Sequence, residues 1–413
     1  MSTTTPQNQE TTAIRPTLPS LQTSVIAAGV AGSALLFWGI AASQGSAKSV
    51  LFLLGLALGV TLFHSRFGFT SAWRQLVAVG QGRALQAHTV MLALAVLLFA
   101  FVFEIGSGWF DTTPDGYYAP ITLGLFVGAA LFGIGMQLGG SCASGTLFAT
   151  GSGNLAVVIT LVGFITGSGL GVAGFDFWST GSGFRKFADP VSFRAEFGIW
   201  GGVAVSLAII ATIAVVAELI IRSRRPPAIE AVPSTVGVAR VLRGSWPIWV
   251  GAIVLAVLNT LVLLTTGRPW GVTSAFRLWA SKIMNGIGLD VASWSFWKER
   301  PGLNASLLAD NTSVANFGII LGALVASAAA GAFSFYKKVP GRTVAAGLIG
   351  GALMGYGATF AAGCNIGAYF SGIASGSLHG YLWAVSALVG TFVGLKLRPL
   401  FALAVPKPTD SSC

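Results

Sequence analysis

The stretch GLFVGAALFGIGMQLGGSCASG (Gly124–Gly145) returns later in the chain, in altered form, as AGLIGGALMGYGATFAAGCNIG (Ala346–Gly367). Both are apolar runs lined with glycine that end in a single cysteine. Five matched positions lie 222 residues apart: Gly128 and Gly350, Gly133 and Gly355, Gly135 and Gly357, Cys142 and Cys364, Gly145 and Gly367. The chain has only 3 cysteines, so two at equivalent places indicate a duplication. In a membrane-embedded chain, a duplicated site is typical of a transport pathway between two halves.

The composition is that of a membrane protein. The chain is 54% hydrophobic and 9% charged, whereas a soluble domain carries roughly 25% charged residues. The net charge is +11, but the basic residues end apolar segments and do not alternate with aromatic residues. This pattern excludes nucleic acid and indicates a lipid bilayer. Residues 1–20 are rich in Thr, Gln and Pro, so we predict a disordered N-terminal tail and no cleavable signal peptide.

The apolar segments predict an all-α polytopic membrane protein with 9 or 10 transmembrane helices, since a span needs about 20 apolar residues. The second segment is short, which leaves a tilted or partly re-entrant helix open. The predicted spans are Ser24–Ala42, Val50–Phe63, Leu85–Ile105, Pro120–Leu138, Asn154–Phe175, Phe197–Ile221, Trp246–Leu264, Ala315–Tyr336, Thr343–Ala361 and Leu378–Leu395.

The distribution of Lys and Arg predicts the orientation. Ten crossings place 15 of the 24 basic residues on the same side as both termini. By the positive-inside rule this side is cytoplasmic. These residues are Arg15, Arg66, Arg74, Arg83, Arg222, Arg224, Arg225, Arg240, Arg243, Lys337, Lys338, Arg342, Lys396, Arg398 and Lys407.

A second pair of segments supports the duplication. SRFGFTSAWR (Ser65–Arg74) matches RPWGVTSAFR (Arg268–Arg277) at an offset of 203 residues. The two offsets differ by 19 residues, which indicates an insertion in the second half. Asn285–Ser313 is polar and rich in aromatic residues, so we expect it outside the membrane as an interfacial helix with a tryptophan belt.

The duplication predicts the organisation of the chain. Because the span Phe197–Ile221 lies between the halves, corresponding spans are an odd number of crossings apart and the repeats are inverted. The re-entrant Cys142 loop then enters from the cytoplasm and the Cys364 loop from outside, and the two thiols meet near the midplane. The predicted parts are a tail (1–20), an extra helix (21–49), repeat 1 (50–175), a connecting helix with a basic linker (176–245), repeat 2 (246–395) and a C-terminal tail (396–413).

At these motifs the chain resembles the YeeE/YedE family of bacterial membrane proteins. The resemblance rests on SRFGFTSAWR, GIGMQLGGSCASGTL and above all AAGCNIGAYFSGIASGSLHGYLW, and it covers both repeats. Characterised members import thiosulfate along a path lined by membrane cysteines, and others are linked to sulfur or selenium compounds. The resemblance thus implies a permease for a small sulfur-containing anion in the bacterial inner (plasma) membrane. The importer pattern has further pathway cysteines, whereas this chain has two in the membrane, so another sulfur or selenium compound stays open.

The residue types around the cysteines suit such an anion. A neutral thiol is a weak donor that contacts a sulfur atom without holding it tightly. Backbone N–H groups at the start of half-helices compensate negative charge. Glycines beside the cysteines allow positive φ or close approach of a ligand. The candidate pathway residues are Cys142, Cys364, Gly140, Ser141, Ser144, Gly145, Gly363, Asn365, Gly367, Arg74, Arg277 and His379.

For the last three of these residues other roles are open. Arg74 and Arg277 attract the anion to a vestibule or anchor their helices at the membrane interface. His379, two residues after Ser377, contacts substrate, caps a helix or meets lipid headgroups.

Two other functions stay open at this point. One is a membrane sulfurtransferase that carries sulfur as a cysteine persulfide. The other is an anchor for a cytoplasmic TusA-like sulfur-relay protein, docked on the basic linker Arg222–Arg243. The sequence has no CxxC or HxxxH spacing and no P-loop. We therefore expect no metal, no cofactor, no ATPase activity and no catalytic residues, and the favoured prediction is a transporter and not an enzyme.

Overall fold

The computed structural model describes residues 19–227, 237–298, 300, 302–335 and 338–406. The predicted N-terminal tail up to residue 18, the middle of the basic linker and Cys413 lie outside these residues. The described chain is almost entirely helical, and ten helical segments in it are long and apolar enough to cross a membrane. This confirms the prediction of an all-α polytopic membrane protein.

The helices follow the predicted spans closely. The first part contains α1 (Thr23–Gln44), α2 (Ser46–Ser65), α3 (Phe69–Val79), α4 (Arg83–Ile105), α5 (Leu123–Leu138), α6 (Ala143–Gly151), α7 (Leu155–Ala173) and α8 (Phe175–Ser179). The middle contains α9 (Phe193–Arg224), α10 (Val238–Arg243), α11 (Ile248–Thr266), α12 (Thr273–Gly286), α13 (Ser295–Lys298) and α14 (Asn311–Ala329). The last part contains α15 (Gly341–Phe360), a π-helix (Asn365–Ser371), α16 (Gly372–Ala374) and α17 (Leu378–Leu397).

Short elements complete the fold. Single turns of 3₁₀-helix lie at Val291–Ser293, Leu307–Ala309 and Arg398–Phe401. Strands β1 (Ile121–Thr122) and β2 (Lys186–Ala188) form an antiparallel pair.

The observed helices differ from the predicted spans by several residues at many of their ends, and α2 and α14 are two examples. Helix α2 runs for 20 residues where the sequence suggested a short segment of uncertain kind, and at 1.5 Å per residue it is about 30 Å long, enough to cross the hydrocarbon. The span predicted at Ala315–Tyr336 is α14, which begins four residues earlier and ends at Ala329. It stops there because Gly331 takes a positive φ of 68°, a conformation that ends helices.

The helices pack in a pattern that matches the duplication. By sequence, α2, α4, α5 and α7 correspond to α11, α14, α15 and α17. Helix α2 packs on α14 as α4 packs on α11, and α7 packs on α15 as α5 packs on α17. Helices α5 and α15 also contact each other, as do α2 and α11. Exchanging the halves therefore preserves the contacts, which supports duplication, while the inverted orientation stays a prediction.

Glycine makes the close packing possible. A Cβ atom at Gly133 would stand 2.1 Å from the carbonyl oxygen of Ala387 on the facing helix α17. A Cβ atom at Gly355 would stand 2.1 Å from the carbonyl oxygen of Phe164 on α7. Helices without side chains at these contacts approach to backbone distance, the usual way that membrane helices associate.

Hydrogen bonds join some of the loops that carry basic residues. Gln22 donates to the Phe333 carbonyl, and Arg243 donates to the carbonyl of Ala329 at 2.9 Å. Gln81 donates to the Pro227 carbonyl. That the basic loops form one face, and that this face is cytoplasmic, stays a prediction.

The insertion Asn285–Ser313 does not fold as expected. Where we predicted an interfacial helix, the described residues form short turns and the four-residue α13. The turns fold inward because Phe296 is buried and the Trp297 indole N–H donates to Ser281 Oγ on α12 at 2.9 Å. The insertion thus packs against α12 and the expected long interfacial helix does not form in its described residues, while the tryptophan belt and the position outside the membrane stay predictions.

Candidate functional site

The first cysteine loop is a tight turn between two helices. Helix α5 ends at Leu138, and Gly140 then takes a positive φ of 75°. Cys142 is the N-cap of α6, and its carbonyl accepts from Thr146 N at 2.7 Å and from Thr146 Oγ1 at 2.6 Å. The cysteine is 2% exposed. The loop therefore holds its thiol inside the protein, at the start of a helix.

Backbone donors surround the Cys142 sulfur. It faces the amide groups of Gly145 on α6 and Phe69 on α3, and Ser144 Oγ lies 3.6 Å away. A Cβ atom at Gly145 would stand 2.3 Å from Ser141 Oγ and 3.4 Å from the sulfur, so glycine keeps this side of the loop compact. Two helix N-termini, those of α3 and α6, meet at one thiol, which favours negative charge nearby.

The second cysteine loop repeats the arrangement with a wider turn. After α15 ends, Ala362 and Gly363 take positive φ values of 57° and 120°. Cys364 is the N-cap of the π-helix, and its carbonyl accepts from Ala368 N at 2.9 Å and from Tyr369 N at 3.3 Å. Its fully buried sulfur faces the amides of Ile366 and Gly367. Single π turns of this kind are frequent at functional sites.

The structure brings the two loops together. Helix α6 and the π-helix, which Cys142 and Cys364 cap, contact each other. Asn365, beside the second cysteine, is fully buried, and its side-chain nitrogen and oxygen have no hydrogen-bond partner. An unpartnered buried amide is costly, so this side chain is available for a ligand at the junction of the loops.

A cavity of about 310 Å³ opens beside the second loop. Gly363, Gly367 and Ser371 line its inner end, and a Cβ atom at Gly367 would meet no atom within 4 Å. Tyr117 lies on its wall and donates to the Ala362 carbonyl at 2.8 Å. The remaining wall is lined by Arg268, Pro269, Trp270, Gly271, Val272, Thr273, Ser274, Arg277, Thr312 and Ala362.

The two arginines of this cavity differ in their partners. Arg268 is paired with Asp115, with 2.9 Å between Nη1 and Oδ2. Arg277 is half-buried, and within the described residues no carboxylate pairs with it. Its guanidinium carbon lies 5.7 Å from the centre of the Phe296 ring. Arg277 therefore supplies a positive charge to the cavity.

A buried network fixes the cavity wall to the second loop. Asn259 on α11 accepts from Trp270 N at 2.8 Å and donates to Ser371 Oγ at 3.1 Å. Ser371 Oγ donates in turn to the Trp270 carbonyl at 2.7 Å. The segment before α12 is thus tied to the end of the π-helix.

Of the twelve predicted pathway residues, Gly363, Gly367 and Arg277 line this cavity, and the other nine do not. His379 and Arg74 are two of these nine. His379 is fully buried, its Nδ1 lies 2.6 Å from Ser377 Oγ, and its ring packs 5.4 Å from that of Tyr117. Contact with lipid headgroups is therefore wrong, and no side-chain cap forms at the start of α17. Arg74 is half-buried on α3, in the other half of the duplication, and it does not join Arg277 at this cavity.

Sequence reasoning missed an aromatic cluster behind the cysteines. Tyr369 of the π-helix lies 5.7 Å from Trp73 and 6.5 Å from Trp383, measured between ring centres. All three are buried. The sequence signal that could have identified this cluster is membership of the repeated motifs. Tyr369 and Trp383 follow Cys364 in its motif, and Trp73 directly precedes Arg74 in the motif Ser65–Arg74.

Comparison with known proteins agrees with this architecture. The family described as "Sulphur transport" matches residues 64–393. The chain is 27% identical over 350 residues to "Thiosulfate transporter TsuA" of Spirochaeta thermophila, which covers 82% of this chain and 96% of that protein. It is 23% identical over 354 residues to the Escherichia coli protein of the same name, covering 82% and 91%. It is 28% identical over 155 residues to "Probable transporter YedE" of E. coli, covering 37% and 38%.

Proposed function

The chain belongs to the sulphur transport family, and on that basis we propose that it imports a small sulfur-containing anion, thiosulfate, past the two buried cysteines. One observation carries the proposal: Arg277, which has no carboxylate partner among the described residues, lines the cavity that ends at Gly363 and Gly367, on either side of Cys364. A cation in a cavity attracts anions. We further propose a bacterial inner-membrane location with the basic face in the cytoplasm, by the positive-inside rule.

The proposed path has three parts. The anion first enters the cavity and binds near Arg277. Its oxygens then meet the backbone amides that face each sulfur, and its terminal sulfur meets the thiols of Cys364 and Cys142 in turn. These contacts are weak and repeated, which suits a path that an ion must leave as readily as it enters. The predicted pathway residues on these two loops are Gly140, Ser141, Ser144, Gly145, Gly363, Asn365 and Gly367.

The test is uptake of labelled thiosulfate into proteoliposomes that contain the full chain. We expect uptake in the wild type and loss of most of it in Cys142→Ala and in Cys364→Ala. Cys413→Ala is the matched control, since it removes the third cysteine and keeps both loops. Sulfate, sulfite and selenium anions added as competitors identify the substrate class. Normal uptake by both loop variants would refute the cysteine path.

The same preparation separates transport from sulfur transfer. A sulfurtransferase would leave the mass of one added sulfur atom on Cys364 or Cys142 after exposure to thiosulfate. A permease requires no covalent adduct. Intact mass measurement of the protein recovered from an uptake experiment therefore decides between the two functions.

Thiosulfate import faces an energetic barrier at an inside-negative membrane. Moving one elementary charge against the potential costs about 2.3 kcal/mol per 100 mV, so moving a dianion inward against about 100 mV costs roughly 4.6 kcal/mol. The chain has no P-loop that would couple the step to ATP. Accumulation of the anion thus requires a co-transported cation or a steep gradient.

A further inference from the structure

His88 on α4 is fully buried, and neither ring nitrogen has a hydrogen-bond partner. A neutral imidazole carries one N–H donor and one acceptor lone pair. Burying both without partners is unfavourable, and each such group in a folded protein needs an explanation. If this position served packing alone, an apolar side chain there would make the fold more stable than histidine does.

Aromatic rings surround this histidine. Its ring centre lies 4.6 Å from that of Phe69, 5.0 Å from that of Phe67 and 6.4 Å from that of Tyr369. Aromatic faces at such distances attract a cation. These rings provide no hydrogen-bond partner for His88 among the described residues, and an ionisable side chain so placed inside a membrane-spanning helix points to a functional role.

No formal charge competes for this position within the described residues. Helix α4 packs against α3, α9, α11 and α16. Helices α11 and α16 carry no charged residue, and Tyr369 is the titratable side chain whose ring faces His88. The charged residues of the other two helices are Arg74 on α3, and Arg194, Glu196, Glu218, Arg222 and Arg224 on α9.

The histidine lies between the two cysteine loops. Its neighbour Phe69 directs its amide at the Cys142 sulfur, and its neighbour Tyr369 belongs to the π-helix that Cys364 caps.

We propose that His88 is the proton-binding site through which one proton crosses with each anion. This inference rests on the proposed import of thiosulfate. A proton from the outer solution adds to the imidazole lone pair when the dianion reaches the cysteines, and it leaves to the inner solution after the anion has gone. No covalent bond other than N–H forms or breaks. Binding of the proton and binding of the anion strengthen each other by the same factor, as linkage requires. The proton also cancels one of the two negative charges that the anion carries against the membrane potential.

The experiment measures thiosulfate and protons together. Proteoliposomes with the wild-type chain, a trapped pH dye and the membrane potential clamped at zero receive labelled thiosulfate. We expect interior acidification of about one proton per anion, and about tenfold faster uptake at outer pH 6 than at pH 7, as for a step first order in protons. His88→Asn removes the titratable ring and keeps a polar side chain, and His88→Gln is the second variant in case the first does not fold. Either should lose acidification and vary less than about twofold with pH.

His64→Gln is the matched control. His64 is also buried, but its Nδ1 contacts the Gly244 carbonyl at 2.9 Å and its ring stacks on Trp246, so coupling should persist in this variant. Wild-type uptake without acidification would overturn the proton site and leave the transport proposal intact. Acidification that persists in both His88 variants would also overturn it. If the wild type takes up no thiosulfate, the proposed function fails and this inference fails with it.

Discussion

Replacing Arg277 by glutamine should weaken anion binding much more than the same change at Arg268. Both side chains line the same cavity, but Arg268 is already paired with Asp115 at 2.9 Å. A sphere of 310 Å³ has a radius of roughly 4 Å, so an anion at its centre lies about 6 Å from a guanidinium on the wall. At that distance a dianion and one positive charge attract by about 1.4 kcal/mol in water and by about 5.5 kcal/mol at an effective dielectric constant near 20.

The lower of these figures already corresponds to about a tenfold change in affinity. We therefore expect Arg277→Gln to raise KM for thiosulfate uptake at least tenfold with a smaller effect on the maximal rate, and Arg268→Gln to raise it less than about threefold. The assay is concentration-dependent uptake into proteoliposomes at low and at physiological ionic strength. Arg277→Lys keeps the charge and should stay near the wild type. Equal effects of the two glutamine variants would refute the argument from pairing.

Two further predictions concern stability, read as thermal unfolding in detergent. Gly133→Ala should destabilise the protein by about 1–3 kcal/mol, because the new Cβ atom would stand 2.1 Å from the Ala387 carbonyl oxygen. The control is Gly39→Ala, where a Cβ atom would meet no described atom within 4 Å. This control should change stability by less than about 0.5 kcal/mol. Asn259→Leu should cost about 1–3 kcal/mol and raise KM, because it leaves the buried Trp270 N–H without a partner; an unchanged melting temperature would contradict the assigned hydrogen bond.

The sequence predicted those features that depend on local composition. Hydropathy and length located ten spans, since each depends only on a contiguous apolar run. Repeated spacing identified Cys142 and Cys364 as equivalent, and the structure brings their loops into contact. Such features need no knowledge of which distant segments meet.

Features that depend on distant partners could not be predicted. Arg268 and Arg277 look alike in sequence, and only the position of Asp115, more than 150 residues earlier, distinguishes them. His88 resembles any single histidine in an apolar helix until Phe67, Phe69 and Tyr369 are seen around it. The helix expected in the insertion after α12 does not form among its described residues for the same reason, because Phe296 is buried and Trp297 donates to Ser281 on α12.

The two halves have the same motif but different space around it, and this difference gives the last prediction. A Cβ atom at Gly145 would stand 2.3 Å from Ser141 Oγ, whereas one at the matching Gly367 would enter the open cavity. Gly145→Ala should therefore lower stability by about 1–3 kcal/mol. Gly367→Ala should leave stability within about 0.5 kcal/mol and narrow the inner end of the cavity, so that KM rises while the melting temperature holds. If Gly367→Ala transported like the wild type, the anion would not pass between this loop and Arg277, and the cavity would have to be removed from the path.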